Sequence, residues 1–139
     1  MTADRARALV AQLDLVPHPE GGYYREIFRS SERVLTDRHG ASRAALTVIH
    51  FLLTQGSYSA AHRVLADEAW HFVEGDPLEL MWATGADAWQ VVRLGALANG
   101  AVPAVVVPGF EFEDFALLRD DSSLCAVLVA RHPALAGLL

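Results

Sequence analysis

The chain has 139 residues, of which 53% are hydrophobic, and a formal net charge of −6. This size and composition predict a single globular domain over 1–139, large enough to enclose a core, and the acidic balance argues against a nucleic-acid-binding protein. No apolar run reaches the length of a membrane-spanning helix. The single cysteine and the absence of a signal-peptide pattern lead us to expect a cytoplasmic protein without disulfides.

All 11 basic residues are arginines, so the sequence contains no lysine. Lysine-based chemistry is therefore excluded, including a Schiff base, a phosphate-loop lysine and a serine–lysine nucleophile pair. The bias toward arginine fits the codon usage of a GC-rich genome, and it also favours bidentate contacts to carboxylate or phosphate groups.

An amphipathic helix is predicted over Ala3–Leu13, because Thr2 can cap its first turn and apolar side chains recur on one face. Pro17 ends this helical stretch, since the residue before a proline is driven away from helical angles. After a turn at Gly21-Gly22, the aromatic and β-branched segment YYREIF (23–28) predicts a strand.

The middle of the chain predicts a series of short antiparallel strands. Ala45–Leu53 is almost continuously apolar, as in a strand that is buried on both faces. Further short strands follow, separated by turns that contain glycine, proline, asparagine or aspartate. They are predicted at 60–64, 69–73, 78–83, 89–94 and 102–107, with one more at 109–118. Strands of this length and spacing indicate an all-β sandwich or barrel.

The C-terminal segment fits two structures. Ser122 or Ser123 can cap a helix that runs to about Arg131, and Pro133 can open a last helical turn. The apolar run LCAVLVA (124–130) fits a strand equally well, because periodicity does not separate a short apolar strand from a buried helix.

The most informative segment is GSYSAAHRVLADEAWHFVEG, which runs from Gly56 to Gly75. On a bent pair of antiparallel strands, His62 and Glu68 can point into one cavity, because side chains alternate between the two faces. His71 falls out of phase with Glu68 by the same alternation. A histidine and a carboxylate that face an apolar space can bind a metal, transfer a proton or orient a substrate.

Four segments resemble those of the cupin superfamily, and in particular one branch of small single-domain proteins of uncharacterised function. They are PHPEGGYYRE (17–26), HRVLADEAWHF (62–72), GDPLEL (75–80) and PGFEFEDF (108–115). The first cupin motif is a glycine, five residues, His-x-His, three or four residues, a glutamate, six residues and a glycine. Gly56, His62, Glu68 and Gly75 match this motif, whereas Val64 replaces its second histidine.

The resemblance implies a fold and a departure from it. We expect a single-domain, jelly-roll-like antiparallel β-barrel with short N- and C-terminal helices. Relatives carry another strand pair, which holds the second cupin motif, before the PGFEFEDF segment, whereas here Val107-Pro108 runs directly into Gly109. The barrel is therefore expected to be shortened, and its exposed strand edges predict a homodimer.

The leading hypothesis is a metal-independent enzyme, without a cofactor, of the isomerase, epimerase or cyclase type that acts on a small organic molecule. His62 is the expected acid/base group and Glu68 its partner. The resemblance to cupin sugar epimerases implies that the first strand grips the substrate, and aromatic residues are expected to line the barrel. The predicted substrate-binding residues are Tyr23, Tyr24, Arg25, Glu26, Trp70 and Phe72.

Two alternatives remain open. In the first, His50, His62 and Glu68 bind one divalent transition metal, although His50 also fits a core histidine that bonds to a backbone carbonyl. In the second, the protein is a non-catalytic ligand-binding cupin. Neither nucleic acid nor a membrane is an expected partner in any of these cases.

Overall fold

The computed structural model describes residues 2–35, 42–60, 66–83 and 89–109, together with the backbone of 128–130 and 137–138. Within this part of the chain the structure is mostly β, with one α-helix near the N-terminus. No helix in these ranges is long and apolar enough to cross a membrane. His62 and all but the first two residues of the PGFEFEDF segment lie outside the described residues.

Helix α1 spans Ala3–Gln12, which confirms the predicted helix to within one residue. The Thr2 side chain accepts a hydrogen bond from the Arg5 amide at 3.2 Å, and this contact satisfies one of the free N–H groups of the first turn. The buried face of the helix carries Ala6 and Leu9. Leu9 on this face packs against the sheet that follows, in a cluster with Leu52.

Short strands, numbered in chain order, account for most of the remaining regular structure in the described ranges. They are β1 Val16–Pro17, β2 Tyr23–Arg29, β3 Arg33–Leu35, β4 Ser42–Ala44, β5 Thr47–Leu53, β6 Glu68–His71, β7 Leu78–Ala83, β8 Trp89–Leu94, β9 Ala104–Val107, β10 Leu128–Ala130 and β11 Gly137–Leu138. One turn of 3-10 helix, Leu97–Asn99, lies between β8 and β9. The predicted strands 78–83 and 89–94 are confirmed with the same bounds.

The strands pair in four groups, and every pairing is antiparallel. One sheet has the order β1-β2-β5-β11, and a second has the order β10-β7-β8. The remaining strands form two-stranded pairs, β3 with β4 and β6 with β9. The predicted antiparallel architecture is therefore confirmed for the described strands.

The predicted C-terminal helix is wrong for the described residues of the C-terminal segment, which form strands. Leu128–Ala130 is strand β10, which pairs with Glu79–Met81 of β7, and Gly137–Leu138 is strand β11, which pairs with Leu52–Leu53 of β5. Sheet edges supply backbone partners that a local pattern cannot indicate, so the described end of the apolar run, Leu128–Ala130, is a strand. The predicted helix cap at 122–123 lies outside the described residues.

Two clusters of buried side chains lie on opposite faces of β5. Phe51 and Leu53 belong to one cluster and Leu52 to the other, because alternate residues of a strand face opposite sides. The buried members of the larger cluster are Phe51, Leu53, Trp70, Leu78, Leu80, Trp82, Leu94 and Val107. The predicted burial of β5 on both faces holds only for its last three residues, since Thr47 and Val48 are exposed.

Candidate functional site

Strand β6 places a carboxylate on the same face as two aromatic side chains of the larger cluster. Glu68, Trp70 and Phe72 alternate along the strand and its continuation, so they share one face. Trp70 is buried, with 6% of its surface exposed, and Phe72 packs against the cluster. Ala69 and His71 are exposed on the other face, where alternation predicted His71. The Glu68 carboxylate is therefore on the side of the strand that carries the aromatic core.

The Glu68 carboxylate is oriented by a hydrogen bond on that face. Trp70 Nε1 donates to Glu68 Oε2 at 3.2 Å. Because a buried indole N–H needs an acceptor, this contact satisfies Trp70 and holds the carboxylate at the edge of the cluster. The start of the strand is fixed separately, since the Gly109 amide donates to Asp67 Oδ1 at 2.8 Å.

A line of aromatic rings extends from Trp70 to the turn before β2. Phe51 meets Trp70 edge-to-face, with ring centroids 5.9 Å apart. The His18 imidazole lies 5.3 Å from the Phe51 ring and 4.7 Å from the Tyr24 ring, again edge-to-face. The strand register places Tyr24 on the same face as Phe51, since the two residues pair directly between strands β2 and β5. The ring contacts thus run from Trp70 through Phe51 and His18 to Tyr24. We call these four rings the aromatic wall, and Glu68 is bonded to its Trp70 end.

His18 lies in this line of rings, and the sequence reasoning did not select it as a candidate. Its side chain is 20% exposed, and its Nδ1 accepts a hydrogen bond from the Glu20 amide at 3.2 Å. Two backbone bonds close the turn, from His18 N to Gly22 O at 2.9 Å and from Gly21 N to His18 O at 3.0 Å. The available signal was a histidine beside prolines and a glycine pair, but this pattern does not show which side chain the turn presents to the core.

The same turn packs against the segment that leads to His62. The Ala60 amide donates to the Glu20 carbonyl at 2.6 Å. Gly21 has a φ of +110°, and a Cβ at this position would overlap the Tyr58 carbonyl oxygen. Glycine is therefore required both by its backbone angle and by the close approach of the two segments.

The residues of β2 that were predicted to bind substrate divide between two faces. Tyr24 belongs to the aromatic wall, whereas Tyr23 packs in the smaller cluster beside helix α1. Arg25 also lies on the helix side, where it forms an ion pair with Asp14 and pairs in register with His50. The Arg25 guanidinium is thus on the opposite face of the sheet from the aromatic wall.

Glu26 lies on the same face as Tyr24 by alternation, but a surface contact engages it. Arg29 Nε donates to Glu26 Oε1 at 2.9 Å, and this hydrogen bond holds the pKa of the Glu26 carboxyl below its ordinary value. A register shift between Glu26 and Phe28 marks a bulge at this point of β2. Glu26 is therefore the last residue before the bulge on the aromatic-wall side of β2, and its carboxylate forms an exposed ion pair with Arg29.

The described residues do not assemble the alternative metal set. His50 lies on the helix side of β5, because its neighbours Ile49 and Phe51 both contact the larger cluster. His62 lies outside the described residues. Across the described ranges, no group of three or more histidine, cysteine, aspartate and glutamate side chains is arranged to hold a metal ion.

Comparison with known proteins identifies the family. A model described as cupin superfamily (DUF985) matches residues 7–131 of the chain. The chain belongs to the cupin superfamily, in its DUF985 family. Among curated proteins, none matches this cupin significantly.

Two solved structures are similar to this cupin in fold. A hypothetical protein from Leishmania major superimposes with a TM-score of 0.74 and 30% identity, over 99% of this chain and 78% of that one. A protein from Shewanella oneidensis superimposes with a TM-score of 0.72 and 28% identity, over 99% of this chain and 74% of that one. The mostly β architecture described above is thus the cupin fold.

Proposed function

We propose that this cupin binds a small organic molecule against the aromatic wall and rearranges it by moving a proton, as a metal-independent isomerase, epimerase or cyclase. The observation that carries the proposal is the Glu68 carboxylate, which shares a face with Trp70 and Phe72 and accepts the indole N–H of Trp70. A carboxylate at the edge of an aromatic surface can orient a polar group of a ligand or exchange a proton with it.

In this proposal His62 is the acid/base group and Glu68 its partner. The two stand six residues apart in the first cupin motif, and the chain that leads to His62 bonds to the turn of the aromatic wall through the Ala60 amide. With a carbonyl substrate, the imidazole takes the proton from the carbon beside the carbonyl, and the C–H electron pair moves into the enolate. The proton then returns to the other face or to a neighbouring atom, so no oxidant or reductant is consumed.

The substrate-binding part of the proposal is narrower than the sequence indicated. Tyr24, Trp70 and Phe72 are proposed to contact the ligand, because each packs on the side that carries Glu68. Tyr23 and Arg25 are engaged on the helix side, so they are assigned to the scaffold. The metal-dependent alternative receives no support, because His50 lies on the opposite face of the sheet from Glu68.

Deuterium exchange tests the proposal without a known substrate. Compounds extracted from freshly purified protein are returned to it in D2O, and mass spectrometry follows deuterium incorporation at carbon. The wild-type protein is expected to catalyse exchange, and His62→Ala and Glu68→Gln are each expected to slow it by about 10²–10⁴-fold, as loss of a positioned acid or base does.

The matched control is His71→Ala, because His71 is exposed on the opposite face of β6 from Glu68. This variant is expected to exchange at the wild-type rate. Full exchange in His62→Ala would contradict the proposal, and binding of the extracted compounds without exchange in the wild type would instead indicate the non-catalytic ligand-binding cupin.

We also propose that this single, shortened cupin domain forms a homodimer. Paired positions of β2 and β5 expose apolar side chains, with Phe28 at 52% opposite Val48 at 37%, and burying these side chains against a second copy removes apolar surface from water. Light scattering is expected to give the mass of a dimer, and a monomer would contradict this part of the proposal.

A further inference from the structure

We infer that the outer part of the ribbon formed by β2, β3, β4 and β5 is an arm that docks on the outer face of the β6–β9 pair of a second copy of this chain. The inference rests on the proposed homodimer and specifies the two surfaces that form it. The arm comprises residues 27–35 and 42–48, and the outer face is the side of β6 and β9 opposite the buried Trp70. A two-fold axis then gives two equivalent contacts, because each copy has one arm and one outer face.

The arm is a continuous two-stranded ribbon. Phe28 pairs with Val48 at its inner end, and β3 pairs with β4 at its outer end. Between these pairs, the Ser30 amide donates a hydrogen bond to the Leu46 carbonyl at 2.9 Å. None of the residues of the arm is buried. Because a two-stranded ribbon is only marginally stable in water by itself, a surface that covers the arm stabilises it.

The arm also concentrates exposed apolar side chains. Among the described residues 14 large hydrophobic side chains are exposed, and six of these lie in the arm. They are Ile27, Phe28, Val34, Leu35, Leu46 and Val48. A second copy that covers the arm removes this apolar surface from water, which favours association.

The outer face of the β6–β9 pair is an apolar surface that suits the arm. Its strand pairing continues beyond β6, since the Phe72 amide donates to the Pro103 carbonyl at 2.8 Å. Three cross-strand pairs therefore share this face, and all six residues are exposed. The pairs are Ala69 with Val106, His71 with Ala104, and Val73 with Val102. Neither an acidic side chain nor an arginine interrupts this face.

Charge complementarity favours an arm on this face over an arm on another arm. With histidine neutral, the arm carries three arginines and one glutamate, a balance of +2, whereas the other described residues carry nine acidic residues and four arginines, a balance of −5. The segments that form and flank the outer face, 66–78 and 96–109, carry four acidic residues and no arginine. Arg5 pairs with one of the four, Glu74, so a net negative charge remains. Two arms together bring like charges into contact, whereas an arm on this face brings opposite charges together.

The outer face of the β7–β8 pair is a poorer match for the arm. Val91 is exposed there, but Arg93 lies on the same face, opposite Glu79 in the register. The arginines of the arm would meet a like charge on this surface. The β7–β8 face therefore supplies the control position for the experiment.

Substitutions at exposed positions test the two surfaces. Leu46→Asp on the arm and Val106→Arg on the outer face are each expected to raise the dimer dissociation constant at least about tenfold, because each removes the burial of an aliphatic side chain at both contacts. The matched control is Val91→Arg, which should leave the constant unchanged. The three side chains are similarly exposed, at 55%, 57% and 58%. Sedimentation equilibrium measures the constant, and circular dichroism checks the fold of each variant.

Mixing Leu46→Asp with Val106→Arg tests whether the two surfaces contact each other. A mixed dimer has one contact without any substitution and one in which an aspartate on the arm meets an arginine on the outer face. The mixture is therefore expected to associate more tightly than either variant alone. Absence of this recovery would overturn the inference, as would dissociation of Leu46→Asp with an unchanged Val106→Arg dimer, the result expected for arms that pack on each other.

The salt dependence of the wild-type dimer tests the charges without any variant. Raising the NaCl concentration from about 0.05 to about 0.5 M shortens the screening length roughly threefold, so the dimer should become weaker. A dimer that becomes tighter would indicate like charges at the interface and would overturn the inference. A monomeric wild type would reject the homodimer altogether, whereas a dimer that is unchanged in both Leu46→Asp and Val106→Arg would reject only the docking of the arm.

Discussion

The two faces of the β2–β5 pair differ in composition although their residues alternate along the same strands. On one face, Tyr24 and Phe51 belong to the aromatic wall, which includes the His18 imidazole and ends at the hydrogen bond between Trp70 and Glu68. On the other, Tyr23 and Leu52 pack against helix α1 in a mostly aliphatic cluster. The comparison shows that adjacent residues of the YYRE motif pack on different faces, Tyr24 on the face of the proposed site and Tyr23 against helix α1.

The largest effects are expected from truncation on each face, with Phe51→Ala set against Leu52→Ala. Both side chains are buried, so we expect losses of about 3–5 and 2–5 kcal/mol in the free energy of unfolding. Only Phe51→Ala removes the ring between His18 and Trp70, so the Trp70 indole resonance should shift in this variant. Denaturant unfolding and ¹H–¹⁵N spectra measure both effects, and an equal resonance shift in Leu52→Ala would contradict the separation of the faces.

The next largest effect concerns the turn that carries the wall's imidazole, with Gly21→Ala compared to Gly56→Ala. Both glycines have positive φ, +110° and +81°, which costs an alanine about 1–2 kcal/mol. A Cβ at Gly56 has no heavy atom within 4 Å, whereas one at Gly21 overlaps the Tyr58 carbonyl. Gly21→Ala should therefore lower the melting temperature more than Gly56→Ala, and equal decreases would argue against the close packing of this turn.

The smallest expected effect lies away from both faces, at the exposed ion pair of Arg5 and Glu74. Hydrogen bonds from Arg5 at 2.8 and 2.7 Å lower the pKa of the Glu74 carboxyl. Because the folded pKa is below the unfolded one, the pair adds stability above the ordinary carboxyl pKa and loses it as the pH falls through the lowered value. Glu74→Gln should destabilise slightly at neutral pH, and its difference from the wild type should vanish in acid. A difference in melting temperature that does not change with pH would contradict this pairing.

Much of the fold follows from local pattern. Strands β7 and β8 begin and end where the sequence predicted them, because turn residues bound each apolar segment. The C-terminal run at 124–130 is apolar throughout, so its pattern does not distinguish a strand from a helix. Only the backbone pairing of its described residues, Leu128–Ala130, with β7 identifies those residues as a strand. The helix cap at Thr2 is also local, since its acceptor and donor are three residues apart.

The site was less accessible to sequence reasoning, for two different reasons. The alternation of side chains along β2 could have separated Tyr24 from Tyr23 and Arg25. Instead, all residues of the motif were predicted to bind substrate together. His18 could not be found in this way, because its position depends on a turn that packs against residues about 40 positions later, through the Ala60 amide. Long-range contacts of this kind leave no periodic signal in the sequence.

The most direct test of the central claim, that Glu68 and His62 face one cavity, is an NMR titration of the His62 imidazole. We predict a lower His62 pKa in Glu68→Gln than in the wild type, because loss of a nearby carboxylate destabilises the imidazolium. Glu79→Gln removes the same charge from an exposed position between the buried Leu78 and Leu80, and it should leave His62 unchanged. An unaltered His62 pKa in Glu68→Gln, or an equal shift in both variants, would contradict the account.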